Sequence, residues 1–177
     1  MKGIVFTEFM EMVETKFDAN MLEDVIDDAG VDGIYTSIGT YPHSEMIQLV
    51  SALSGRSGLE IPELLRVFGV YMFDSFTRLY PSFFDKVDNA FDFLDRVEDY
   101  IHVEVKKIYP QAELPRFETT RLSPKHLQMI YYSDRRMGAL AYGLIQGCLD
   151  YFHDEGDVHI ENSTDDDTVV KFLIELK

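Results

Sequence analysis

The sequence has a single cysteine, Cys148, among its 177 residues. One cysteine can form neither an intrachain disulfide nor a cysteine-ligated zinc site. We interpret Cys148 as a small buried hydrophobe rather than a redox centre. No stretch approaches the roughly 20 consecutive apolar residues of a membrane span, and the first residues lack the apolar core and cleavage site of a signal peptide. These absences favour a cytoplasmic protein.

Basic residues are also scarce. The chain has 16 Lys and Arg against 32 Asp and Glu, which gives a formal net charge of −16. Such a balance argues against binding to a nucleic-acid backbone or to an anionic membrane surface, since both need clustered cations. What is abundant is apolar surface, because hydrophobic residues make up 46% and include 13 Phe and 10 Tyr. The length and this composition are typical of one folded domain.

The hydrophobic pattern changes character along the chain. Apolar residues recur at spacings of three and four through most of the first two thirds, which indicates amphipathic helices, and two pairs of short β-type segments follow. The predicted helices cover about 6–17, 20–29, 43–54, 62–80, 88–108 and 137–152, and the predicted strands cover 116–121, 127–133, 158–160 and 168–176. Together they predict an α+β domain with a mostly helical N-terminal part and a small antiparallel sheet of two hairpins with a helix between them.

Two groups of residues are candidates for a binding site. His102 lies at the edge of an apolar helical stripe, where a half-buried histidine with a hydrogen-bond partner is the simpler interpretation and a ligand is the alternative. Tyr131, Ser133 and Arg135 are alternate residues along a predicted strand, with Arg135 near its end, so we expect their side chains to share one face. Two hydroxyls and a guanidinium suit a pair of carboxylates, because the arginine fork matches carboxylate geometry. An exposed strand face with an ordinary ion pair is the competing interpretation.

Taken together, these motifs resemble the H-NOX family of haem-nitric oxide/oxygen-binding domains, similar to the haem domain of soluble guanylate cyclase. The segments that carry the resemblance are DYIHVE (99–104), LPRF (114–117) and YYSDR (131–135), with MKG (1–3) and YPSFF (80–84) in support. The resemblance covers essentially the whole chain. It implies one haem-binding domain over 1–177, with a helical subdomain over about 1–65, a haem-ligand helix and sheet over about 66–177, and haem between the two parts.

The resemblance also assigns roles to particular residues. His102 takes the place of the axial ligand to haem iron, and Tyr131, Ser133 and Arg135 take the place of the residues that bind the two haem propionates. Pro115 corresponds to the proline that presses on the porphyrin and bends it. Val5 is expected to pack on the other face of the ring. The cofactor implied is haem b held without a covalent bond, since the sequence has no Cys-x-x-Cys-His motif.

The residues expected on the gas-binding side predict which gas is bound. Oxygen-binding relatives hold a tyrosine hydroxyl over the iron, whereas the corresponding positions here are Leu140 and Phe9. Without a donor, bound oxygen is not stabilised, while nitric oxide binds ferrous haem without such help. We therefore predict a nitric oxide sensor, with carbon monoxide as another possible ligand. The nearby Tyr142 keeps an oxygen-binding haem sensor open as an alternative.

The resemblance implies a bacterial stand-alone sensor rather than an enzyme. We expect nitric oxide to weaken or break the His102–iron bond, so that the helical part shifts against the hairpin part and changes the surface that a partner meets. The expected partner is a histidine kinase or an enzyme that makes or degrades cyclic di-GMP. A peroxidase is disfavoured because the candidate distal residues are apolar. A haem-free protein interaction module is the remaining alternative.

Overall fold

The computed structural model describes residues 1–85 and 87–177 of the chain, with Asn162 described by its backbone alone. Helices occupy the first part and a sheet the last part, and one further helix separates the two hairpins. The α-helices are α1 (Gly3–Lys16), α2 (Ala19–Ala29), α3 (His43–Ser57), α4 (Ile61–Leu79), α5 (Ala90–Asp95), α6 (His102–Ile108) and α7 (Gly138–Phe152), and the strands are β1 (Arg116–Ser123), β2 (His126–Tyr132), β3 (Gly156–Ser163) and β4 (Val169–Leu176). This arrangement confirms the predicted α+β fold.

Local chemistry explains where several helices begin and end. The Asp18 carboxylate accepts a hydrogen bond from the backbone N–H of Met21 at 2.8 Å and so caps the start of α2. Gly30 ends α2 in the left-handed conformation, with φ of 65°. Helix α3 was predicted to end at Ser54, but it passes through Gly55 and continues to Ser57, where Gly58 adopts φ of 74°. The helix therefore stops at the glycine that takes the left-handed conformation, not at the first glycine in the sequence.

The four strands form one antiparallel sheet in the order β1-β2-β4-β3. Strand β1 pairs with β2 in the first hairpin, and β3 pairs with β4 in the second. The pairing of β2 with β4 joins the two hairpins. One face of the two central strands is buried, with Leu127, Met129 and Tyr131 on β2 and Phe172 and Ile174 on β4. Because side chains alternate between the faces of a strand, this burial fixes the register of the sheet.

The buried apolar residues form two clusters. We call the first the sheet core, built from the sheet, α5 and parts of α4 and α7. We call the second the N-terminal core, built from α1, α2, α3 and other parts of α4 and α7. Helix α7, for example, gives Ala141 and Ile145 to the sheet core and Leu140 to the N-terminal core. Helices α4 and α7 therefore connect the two cores. In the described residues no helix is both long and apolar enough to cross a membrane.

The segment predicted as one helix over 88–108 is divided into three pieces. Helix α5 ends at Asp95, a π-helical turn covers Val97–Ile101, and α6 begins at His102. Within the turn, the N–H of Ile101 donates to the carbonyl of Arg96 five residues earlier, at 3.0 Å. Ile108, the last residue of the predicted helix, is half exposed. A π-helical turn holds one residue more than an α-turn, and such turns often lie at functional sites.

Candidate functional site

His102 is held at the junction between the π-helical turn and α6. Its side chain is only 13% exposed, and its Nδ1 lies 3.1 Å from Oε2 of Glu98, four residues earlier. The same carboxylate oxygen accepts a hydrogen bond from the backbone N–H of Phe117, at 3.0 Å. Burial lowers the pKa of His102, and the Glu98 carboxylate opposes that shift. Burial thus favours the neutral imidazole, which is the form that binds a metal ion.

A row of rings connects His102 to the sheet. The His102 ring lies 5.8 Å from that of Phe117, which lies 5.6 Å from that of Tyr131. Phe117 and Tyr131 are also paired across β1 and β2. The structure therefore brings His102 to the end of the hairpin where the Tyr-x-Ser-x-Arg motif begins.

That motif does not continue along the strand as the alternation predicted. Strand β2 ends at Tyr132, so Ser133 and Arg135 lie in the turn before α7. The Ser133 hydroxyl accepts from the N–H of Arg135 at 3.2 Å, and Arg136 adopts a left-handed φ of 57°. The Tyr131 hydroxyl, which is buried, accepts from the N–H of Met137 at 3.1 Å. Both hydroxyls act as acceptors in these contacts, so each keeps its own proton to donate to a ligand.

The Arg135 guanidinium already binds a carboxylate. It donates to Oε2 of Glu113 at 2.8 Å and to the Glu113 backbone carbonyl at 2.6 Å. The arginine side chain is 19% exposed, whereas the glutamate side chain is 87% exposed. An exposed carboxylate on a half-buried arginine can be displaced by another carboxylate at little cost, since surface ion pairs are weak. Pro115, two residues after Glu113, leads directly into β1.

Another polar group at this end lacks a partner. His43, the first residue of α3, has a buried Nε2 atom with no hydrogen-bond partner among the described residues. Burial lowers the pKa of His43, and the Arg135 guanidinium adds to that effect. A buried nitrogen without a hydrogen-bond partner is uncommon, and this one lies close enough to Arg135 for the guanidinium charge to affect its ring.

The residues predicted on the gas-binding side belong to the N-terminal core. Phe9 is fully buried and packs edge-on against Phe68, with the ring centres 5.3 Å apart. Leu140 is buried in the same core, and Val5 packs against it half-buried. This core therefore offers apolar surface at all three predicted positions.

The Tyr142 side chain packs against the sheet core and not against the N-terminal core. Its hydroxyl donates to the backbone carbonyl of Val158 in β3 at 2.9 Å, and its ring packs against the sheet core near Phe172. It also lines a surface cleft with Arg66 and His153. The hydroxyl that sequence reasoning left open as an oxygen donor is thus occupied by β3.

The comparisons with known proteins concern the family and the fold of the chain. The family model described as Haem-NO-binding matches residues 2–161. An Fe(II) unliganded H-NOX protein from K. algicida is 38% identical, with a TM-score of 0.94 over 100% of this chain and 97% of that one. The H-NOX from Shewanella woodyi, solved in the Fe(II)CO state, is 37% identical, with a TM-score of 0.84 over 99% and 94%. Among curated proteins, none matches this chain.

These matches define the class of protein as a haem-binding gas sensor. The chain belongs to the Haem-NO-binding, or H-NOX, family. An H-NOX protein from S. oneidensis, solved in the Fe(II)NO state, shares the fold at a TM-score of 0.92 over 100% of this chain and 99% of that one, with 24% identity.

The residues of this chain fit a haem group. His102 has Nδ1 engaged, and within residues 1–85 and 87–177 no hydrogen bond engages its Nε2. The Glu113 contact shows that the Arg135 guanidinium is placed to hold a carboxylate. No group of three or more His, Cys, Asp or Glu among the described residues is suited to a metal ion held by protein ligands alone. A single histidine together with a guanidinium and two hydroxyls would suit a cofactor that brings its own metal ion and its own carboxylates.

Sequence reasoning missed Glu98, Glu113 and His43. The contact of Glu98 with His102 could have been found, because residues four apart on a helix are neighbours. Glu113 contacts Arg135, and His43 comes under the influence of its charge, only through the tertiary fold, and no local pattern marks either residue.

Proposed function

We propose that this chain senses nitric oxide through a non-covalently bound ferrous haem b. Family membership supports the cofactor, and one arrangement supports the choice of gas: the residues at the predicted gas-binding positions, Phe9 and Leu140, are buried and apolar, while Tyr142 donates its hydroxyl to Val158. Oxygen on iron needs a hydrogen-bond donor for stability, and nitric oxide does not.

Each site residue then has a defined task. His102 ligates through Nε2, with Glu98 holding the ring. Tyr131, Ser133 and Arg135 donate hydrogen bonds to the propionates, and Arg135 exchanges the Glu113 carboxylate for one of them. Pro115 presses on one face of the ring, while Val5 and Phe9 cover the other. Ferrous haem supplies the open coordination position at which nitric oxide, or carbon monoxide, binds.

The proposed output is a change of shape that depends on the His102–iron bond. While that bond holds, it ties α6 and the π-helical turn to the cofactor. When His102 is released, the bond no longer fixes α6 to the cofactor, and the N-terminal core can shift relative to the sheet core. Helices α4 and α7, which contribute residues to both cores, would transmit this shift. We propose a separate effector as the receiver, either a histidine kinase or an enzyme of cyclic di-GMP metabolism. We assign no enzymatic activity, and the cytoplasmic location expected from sequence stays a prediction.

The test is the absorption spectrum of the haem-loaded protein after reduction, first alone, then with oxygen, then with nitric oxide. We expect a five-coordinate histidine-ligated spectrum that is unchanged by oxygen and altered by nitric oxide. A stable oxygen complex would replace the proposal with an oxygen sensor. A protein that stays colourless after haem addition would point to a haem-free interaction module.

A further inference from the structure

The contact between Glu98 and His102 has a defined proton arrangement. A carboxylate can only accept, so the 3.1 Å contact requires the proton of the neutral imidazole to lie on Nδ1. The lone pair of Nε2 is then available to a metal. The carboxylate is held in place from a second direction by the N–H of Phe117, at 3.0 Å from the same oxygen. Glu98 is thus positioned by the backbone N–H of Phe117 in β1 and not by His102 alone.

We propose that Glu98 sets the strength of the bond between His102 and haem iron, and thereby the ease with which nitric oxide releases the histidine. The inference rests on the proposed role of His102 as the axial ligand. A carboxylate that accepts a hydrogen bond from Nδ1–H raises the basicity of the ring and so strengthens the bond between Nε2 and the metal. It also favours the more highly charged ferric iron, which lowers the reduction potential. Glu98 is a positioning residue, since it acts on the iron only through His102.

A purely structural role for Glu98 is the competing explanation. The carboxylate also caps the N–H of Phe117 at the start of β1, and losing that contact would disturb the strand whatever the iron does. Glu98→Gln separates the two roles. The amide oxygen of glutamine can still accept hydrogen bonds from Phe117 and from His102, but it carries no negative charge. The hydrogen bond to β1 is therefore kept, while the increase in imidazole basicity is lost.

Asp99→Asn is the matched control. Asp99 is the next residue of the same π-helical turn and its side chain is exposed. The substitution removes the same unit of charge from the same segment. It therefore reports the general electrostatic effect of losing an acid near the site.

The experiment measures the iron–histidine stretching band of the haem-loaded ferrous proteins by resonance Raman spectroscopy, together with the haem midpoint potential. We expect Glu98→Gln to lower the band frequency and Asp99→Asn to leave it in place. Loss of an outer-sphere partner typically weakens metal binding about 10–100-fold. A tenfold loss of preference for ferric iron corresponds to a rise of about 59 mV in the potential of a one-electron couple.

The following outcomes would overturn the inference. An unmoved band and potential in Glu98→Gln would leave Glu98 with a structural role only, and equal shifts in both variants would assign the effect to general charge. A wild-type protein without any iron–histidine band would remove His102 as the ligand, which defeats the proposed function itself and is distinct from a band that is present but unmoved. If Glu98→Gln does not retain haem, Glu98→Asp decides, because its shorter side chain withdraws the carboxylate from Nδ1: a downward shift relative to wild type supports the inference and no shift contradicts it.

Discussion

Helices α4 and α7 approach each other closely because glycines lie at their crossing. A Cβ atom added at Gly143 would lie 2.0 Å from the backbone carbonyl oxygen of Arg66, and one added at Gly69 would lie 2.4 Å from the carbonyl oxygen of Leu140. Both obstacles are helical backbone, which cannot rotate away as a side chain can. We therefore expect Gly143→Ala to push the two helices apart.

The expected cost follows from that geometry. The new methyl group would be about 1.4 Å too close to the Arg66 carbonyl for an ordinary van der Waals contact. Overpacking a core costs typically about 1–3 kcal/mol, and an obstacle made of backbone belongs at the upper end. Alanine returns about 1 kcal/mol through its better helix propensity. We expect the free energy of unfolding to fall by about 2 kcal/mol.

Urea denaturation of the haem-free protein, followed by far-ultraviolet circular dichroism, measures this change. With a denaturant dependence of about 2 kcal/mol per molar, the midpoint should fall by about 1 M. The control is Gly55→Ala in α3, where an added Cβ meets nothing within 4 Å. The same chemical change should raise the free energy of unfolding there by up to about 1 kcal/mol. A Gly143→Ala midpoint equal to that of wild type would refute the close crossing of α4 and α7.

Four further predictions concern the site and its surroundings. His102→Ala should fail to retain haem unless imidazole is supplied, and a normal histidine-ligated spectrum in this variant would contradict the assignment. Arg135→Ala should speed haem transfer to apomyoglobin about 10-fold or more, by loss of a charge-assisted hydrogen bond of about 1.5–3 kcal/mol, without changing the ligand spectrum. Leu140→Tyr should slow oxygen dissociation if the new hydroxyl reaches the bound gas. A stable oxygen complex of this variant would support the predicted position of Leu140, whereas the wild-type spectrum is the stronger test of the choice of gas. The Cys148 thiol, whose pKa is raised by burial, should react with Ellman's reagent only after unfolding, and rapid reaction of the native protein would contradict its burial.

Much of the fold could be predicted because its helices carry strong local patterns. Pro62 near the start of α4 and the left-handed Gly30 after α2 act within a few residues of where they stand. The π-helical turn could not be predicted in the same way. Val97, Ile101 and Val105 are spaced as an uninterrupted α-helix requires, and all three pack against the sheet core although the backbone between them is not α-helical.

The residues of the candidate site remain a prediction from sequence, and the local geometry of one group differs from what the sequence indicated. Alternation along a strand placed Tyr131, Ser133 and Arg135 on one face, whereas Ser133 and Arg135 lie in a turn that follows the strand. The direction of Tyr142 is decided by the Val158 carbonyl on a strand 16 residues away. Such outcomes depend on contacts between distant segments, and no local period records them.

The π-helical turn before His102 has a consequence for how this segment can evolve. A one-residue deletion within Val97–Ile101 would convert the turn into regular α-helix. Because the turn holds one residue more than an α-turn, α5 and α6 would keep nearly their present orientation, and His102 would stay beside Phe117. The same deletion within α5 would rotate the residues on one side of it by about 100°, the angle between successive residues of an α-helix. The π-helical turn is therefore a place where this segment can lose one residue without reorienting His102.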